Sequence, residues 1–428
     1  MPASSSPPGA TSTPLAVTTQ ASDELSSSPK LPPELVENVI DHLHDNNAAL
    51  AACALVSKEW THTARFHRFT ILKVRLRYDD YTKLGEALAA SADLRNMVRT
   101  LWIVAPWEDD APGSPNMGPL TWLPVLEKTE ELILTGYMLE SDYPADDQLG
   151  YDYDLGPHLP ALKRLIMNCW RMGVGPLDAM WKSFPQLDTF TLSRIGRIIP
   201  FTIPDRPWGA PVPAPHPRMR KLGVEWISWQ QLRHTANWML RHPNPELLQT
   251  IRLQCCFYVL GQAQPILDKF GPLQLQHLHL GIQAYQGDDV SSDNQRITAQ
   301  KYPSLERCTK LSMLRIVIHT YDKHDEAQYV TACTHAILFS LASPALETLI
   351  LEAQLNRDLG PTEPFEKLDW TAIQRMLQHP TLAKLSRIVI NGRSHSDKLV
   401  KLLKEKSPEL YKNGMFTLAM VRGSQRPL

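Results

Sequence analysis

One short pattern constrains this 428-residue chain more than any other feature: an apolar residue, two others, an apolar residue, one other, and an apolar residue again. It recurs ten times between Val98 and Ile390. The copies are Val98-Leu101-Ile103, Thr129-Leu132-Leu134, Leu162-Leu165-Met167, Leu187-Phe190-Leu192, Met219-Leu222-Val224, Leu248-Ile251-Leu253, Leu275-Leu278-Leu280, Leu311-Leu314-Ile316, Leu346-Leu349-Leu351 and Leu385-Ile388-Ile390, starting 25 to 39 residues apart. The last two apolar positions of each copy alternate with other residues, the period of a strand buried on one side. A unit that cannot bury its own apolar face must stack on its neighbours, so a fixed local pattern at such intervals points to a repeat array.

Between copies lie stretches with helical spacing, clearest over Trp229 to Arg241, Glu326 to Leu341, Trp370 to Gln378 and Asp397 to Lys406, the last preceded by Ser396 as a cap. Strand, helix, strand at this interval predicts crossover connections and a parallel sheet. A doubly wound α/β domain alternates in the same way; ten copies that begin alike favour stacking. The pattern resembles the leucine-rich-repeat family, in an irregular form. Ordinary repeats run 20 to 29 residues and carry Asn or Cys eight positions after the first Leu. Here only Cys256 stands there, so the usual side-chain ladder is in doubt. The stretches Pro106 to Pro119, Leu139 to Pro160, Pro200 to Pro217 and Gln286 to Gln295, rich in Pro, Gly, Asp or Ser, read as loops.

Residues 1–30 hold eight serines, four threonines and five prolines with few large apolar side chains, a composition that reads as a disordered tail. The composition changes at Lys30. Pro33 suits a first helical turn, and Leu35, Val36, Val39, Ile40 and Leu43 follow at helical spacing. Asp45-Asn46-Asn47 can cap a second helix, whose run Ala48 to Val56 contains no polar side chain; a third helix carries Trp60, Ala64 and Phe66. A helix apolar on every side must be covered on every side. Two neighbours in about 40 residues cover only part of it, and the rest is covered either by a partner or by the remainder of this chain.

Leu31-Pro32-Pro33-Glu34-Leu35 with Ile40 and Leu43, then Leu50, Leu55-Val56-Ser57 and Trp60, resemble the F-box family in order, spacing and N-terminal position. Ser57 departs from the Cys common in that family. The resemblance covers residues 31–72 and implies a three-helix module that docks onto the Skp-type adaptor of a cullin-RING ubiquitin ligase. The residues implied in docking are Leu31, Pro32, Leu35, Ile40, Leu50, Leu55, Val56 and Trp60. The expected organisation is a tail over 1–30, an F-box-like module over 31–72 and an α/β solenoid with a parallel sheet over 73–428.

Composition excludes several classes. A net charge of −1 lacks the footprint of a general nucleic-acid binder. Six cysteines without a C-x-x-C pair indicate neither a disulfide framework nor a thiolate zinc site, and no run of about 18 apolar residues predicts a membrane span. Without a leader-like N-terminus, the expected location is cytoplasmic or nuclear. No nucleophile with its base, phosphate loop or metal cluster is legible, so no enzyme, cofactor or metal is expected. Gly173-Val174-Gly175 begins like a dinucleotide loop, but Pro176 and Asp178 break it; Asp109-Asp110, Asp146-Asp147 and Asp288-Asp289 lack the rest of a calcium loop. His42 and His44 point to different helix faces.

The expected function is therefore that of a substrate-recognition adaptor, the F-box holding the Skp-type adaptor and the solenoid a target protein. A non-degradative scaffold is the alternative. Strand alternation places Arg252, His277, His279, Arg315, His319 and Arg387 on the sheet face away from the core, where Glu352 is the only acid aligned with them. That set predicts a cationic face, part of a surface about 45 Å long at 4.8 Å per strand, that takes an acidic or phosphorylated segment of the target.

Overall fold

In a computed structural model the described residues are 31–44, 46–75, 80–104, 122–135, 155–168, 182–193, 215–225, 229–256, 259–283, 302–320, 324–355, 363–392 and 396–420. The tail over 1–30, the Gly173 motif, the three Asp pairs and most of the four long loops lie outside them. The chain divides into two compact units, Met1–Arg68 and Phe69–Leu428.

The helical unit consists of α1 (Pro33–His42), α2 (Asn47–Val56) and α3 (Lys58–Thr70), the last reaching two residues into the next unit. Each start has a local cause. Pro33 occupies the first turn of α1, where its missing N–H costs nothing. Asn46 caps α2, its Oδ1 accepting the Ala49 N–H at 3.0 Å. Ser57 caps α3, its Oγ accepting the Trp60 N–H at 3.3 Å. The three helices share a core of Val36, Ile40, Leu50, Cys53 and Ala64, with Leu43, Ala54 and Trp60 packed against it. Asp41 pairs with His67 at 2.7 Å and ties α1 to α3; Thr61 Oγ1 donates to the Ala54 carbonyl at 2.8 Å and ties α3 to α2.

The second unit is built on one sheet of twelve strands: β1 (Ile71–Arg75), β2 (Thr100–Val104), β3 (Glu131–Thr135), β4 (Arg164–Asn168), β5 (Thr189–Ser193), β6 (Lys221–Glu225), β7 (Thr250–Cys256), β8 (His277–Gln283), β9 (Met313–Thr320), β10 (Thr348–Leu355), β11 (Arg387–Gly392) and β12 (Phe416–Met420). Their spatial order is their sequence order, and every neighbouring pair is parallel. A doubly wound domain reverses its strand order at a switch point. This sheet never does, which is the topology of a solenoid.

All ten pattern copies are strands, β2 to β11, in one register: the second apolar residue of each copy pairs with the second of the next. Those residues and the two-on partners join the helices in one continuous core from Leu72 to Leu410. The helix His324–Phe339 packs on β8 and β9 from that side. Register is fixed at the strand entrances. The carbonyl of Arg99 accepts the amides of Glu130 and Glu131, Glu130 those of Lys163 and Arg164, and the scheme repeats to Glu347 with Ser386 and Arg387.

The doubted side-chain ladder exists in another form. Thr129 Oγ1 donates to the Val98 carbonyl at 3.1 Å and Ser343 Oγ to that of Leu311 at 2.9 Å, each reaching the first residue of the preceding copy. His216 makes a backbone hydrogen bond to Leu187, also a first residue. These fully or nearly buried side chains satisfy carbonyls that would otherwise be desolvated without a partner.

Candidate functional sites

Two surfaces collect the residues singled out by the sequence. The first is the apolar exterior of the helical unit. Leu35 and Val39 lie one turn apart on α1 and are 50% and 45% exposed; Leu31 precedes the helix and is 52% exposed; Leu55 and Val56, at the end of α2, are 88% and 65% exposed. Pro32 is exposed beside Leu31. These apolar side chains lie outside a core of only five buried residues.

Of the residues expected to make the contact, two lie in the core and a third is partly covered by it. Ile40 and Leu50 are fully buried, and Trp60 is half-buried against them. The reason is the breadth of the apolar faces: α1 turns Val36 and Ile40 inward and Leu35 and Val39 outward, and α2 turns Leu50 and Cys53 inward and Leu55 and Val56 outward. Sequence spacing marks all of these as apolar without saying which face the small core consumes. Val39, one turn after Leu35, shares this exterior and is not among the residues expected to make the contact.

The second surface is the sheet face opposite the core. At the third register position β7, β8 and β9 carry Arg252, His279 and Arg315 side by side. Two positions further along each strand, β6 carries Glu225 and β10 carries Glu352. Arg252 forms an ion pair with Glu225, Nε standing 2.8 Å from Oε1, and Arg315 forms one with Glu352. Ser193 Oγ donates to Glu225 at 3.5 Å and Asn391 Nδ2 to Glu352 at 3.2 Å, so one cluster runs from β5 to β7 and a second from β9 to β11, with His279 of β8 between them.

This corrects the expectation of a cationic set matched only by Glu352. Glu225 is a second acid, one strand and two positions from Arg252, a diagonal relation that a comparison of residues directly opposite one another does not pick up. The histidines are not exposed cations either. His279 and His319 are buried and His277 is half-buried. Burial, then the guanidiniums of Arg315 and Arg252, push the His279 pKa down to about 4, and burial with Lys221 lowers that of His277. His279 is thus neutral at pH 7. Strands about 4.8 Å apart place it between the two long arginine side chains.

Gln254 on β7 donates through Nε2 to His319 Nε2 on β9 at 2.9 Å, crossing β8 at Gly281. Nearer the first strand, Lys73 Nζ stands 3.8 Å from the centre of the Trp102 ring, and Trp102 Nε1 donates to Thr135 Oγ1 at 2.9 Å. Arg387 lies at the edge of the face and is exposed. Among the described residues no three His, Cys, Asp or Glu side chains gather as a metal site, and no helix is long and apolar enough to cross a membrane.

No family model matches the chain, and no curated protein sequence matches it. Solved structures similar to it include a chain from a crystal structure of the yeast Rad7 and Elc1 complex, 13% identical over 91% of this chain and 92% of that one with a TM-score of 0.30. Another is internalin C2 of Listeria monocytogenes, 12% identical over 83% and 96% with a TM-score of 0.19.

Proposed function

We propose that the protein is a substrate-recognition adaptor of a Skp/cullin/F-box-type ubiquitin ligase: the helical unit binds the Skp-type adaptor, and the sheet unit holds a target protein. One observation carries this reading. A unit too small to be stable on so few core residues leaves Leu31, Leu35, Val39, Leu55 and Val56 outside, and an apolar surface on so small a unit is an interaction surface. Leu31, Leu35, Leu55 and Val56 are among the positions implied by the F-box resemblance, whereas Val39 is an addition to them and the implied Ile40 and Leu50 lie in the core. In this role the protein catalyses nothing. It contributes proximity, because a target held beside a charged conjugating enzyme reacts in an effectively intramolecular encounter.

The test is affinity purification of the full chain from cells, with its bound proteins identified. Recovery of the Skp-type adaptor and a cullin supports the reading; recovery of neither refutes it. A recovered target whose half-life does not lengthen when the chain is removed assigns the protein instead to a non-degradative scaffold.

A further inference from the structure

The charges on the sheet face are layered. Arg252 and Arg315 keep 28% and 16% of their side chains exposed, whereas their partners Glu225 and Glu352 keep 6% and 0%. Lys221 and Arg387, at the first register position of β6 and β11, are exposed. A ligand approaching this face therefore meets N–H donors, with the counter-charges beneath them. A carboxylate under a guanidinium holds the planar group in one orientation, so that less conformational freedom is lost when a second acceptor binds. Arg252 is ion-paired with Glu225 through one edge of a guanidinium that carries five N–H donors in all.

We propose that this face takes a carboxylate-bearing stretch of the target polypeptide, with Asp or Glu side chains seated on Arg252 and Arg315 and flanking acceptors on Lys221 and Arg387. Three features select this ligand. The donors span β6 to β11, five strand spacings or about 24 Å, which fits an extended segment better than a small molecule. Lys221, Arg252, Arg315 and Arg387 present donors while Glu225 and Glu352 are covered, so an acceptor-rich segment is complementary. The buried glutamates already offset both guanidinium charges. A singly charged carboxylate gains the short hydrogen bonds, while a phosphate dianion meets two like charges close behind them. The proposal narrows the acidic-or-phosphorylated expectation to carboxylates, and it rests on the reading of the sheet unit as the target-holding part.

The experiment pans the full chain, without adaptor, against synthetic decapeptides in which each position carries any natural residue or phosphoserine. The pool recovered by the wild type is expected to be rich in Asp and Glu relative to Asn, Gln and phosphoserine. Replacing both pairs together (Glu225→Gln, Arg252→Gln, Arg315→Gln, Glu352→Gln) leaves the net charge of the face unchanged and is expected to reduce the acidic enrichment about tenfold, or 1.4 kcal/mol. Arg252→Lys with Arg315→Lys retains charge but not the planar fork; it is expected to lower the enrichment as well, and it decides the matter if the fourfold variant melts early. Preference for phosphoserine, absence of acidic enrichment, or enrichment undiminished in a folded variant would overturn the proposal. Because no adaptor is present, failure of the ligase reading and failure of this one are separable.

Discussion

Gln254 can reach across β8 to His319 because residue 281 has no side chain. A Cβ there would lie 2.5 Å from Gln254 Cγ. Gly281→Val is expected to displace that side chain, remove the 2.9 Å bond to His319 and destabilise the sheet unit by about 1–3 kcal/mol, seen as a lower urea midpoint at constant m-value. The buried histidines make a second residue-scale prediction. Burial, with Lys269 nearby, takes His242 down to about 4, the same value as His279. Both pKa values are depressed in the folded state, so the unfolded chain binds these protons first. Stability is fully present above pH 6.5 and is lost as the pH falls from 6.5 to about 4, by a few kcal/mol for the pair. Melting temperatures measured down that range report it; a melting temperature flat between pH 6.5 and 4 contradicts the neutral burial of both rings.

At the scale of the element, α2 divides its apolar residues between two uses. Leu50 is fully buried and Leu55 is 88% exposed. Leu50→Ala is expected to cost about 2–4 kcal/mol and weaken the helical unit as a whole, while Leu55→Ala leaves its stability nearly unchanged. Hydrogen exchange of amides in α1 to α3 distinguishes the two. The helices themselves were legible: Pro33 and Asn46 act where their chemistry places them. Which side of α2 faces inward was not legible, because every side is apolar and only the positions of α1 and α3 decide. Strands show the same limit. β2 to β11 were readable from alternation alone. β1 carries the full pattern in Phe69, Leu72 and Val74, but it adjoins α3 and was absorbed into the helical segment ending at residue 72. β12 was unreadable for a different reason: Asn413 occupies the place of the first apolar residue, ahead of Phe416 and Leu418. The Glu225 to Arg252 pair was hidden because register fixes direct neighbours, whereas long side chains choose among diagonal ones.

At the scale of the whole molecule, one chain combines a small unit with an apolar exterior and a large unit with a polar, hydrogen-bonded face. Stacked repeats explain the second: each contributes the same two inward residues and is free to vary the outward ones. The helical unit supports the central claim, that its exterior residues hold an adaptor. Titrating the full chain with purified Skp-type adaptor tests this most directly, comparing the wild type with Leu55→Asp combined with Val56→Asp. Both sites are exposed, so the variant is expected to keep its melting temperature while losing affinity at least about 100-fold, or 2.7 kcal/mol, since a docked face would bury two uncompensated charges. Binding by the folded variant equal to that of the wild type would contradict the account.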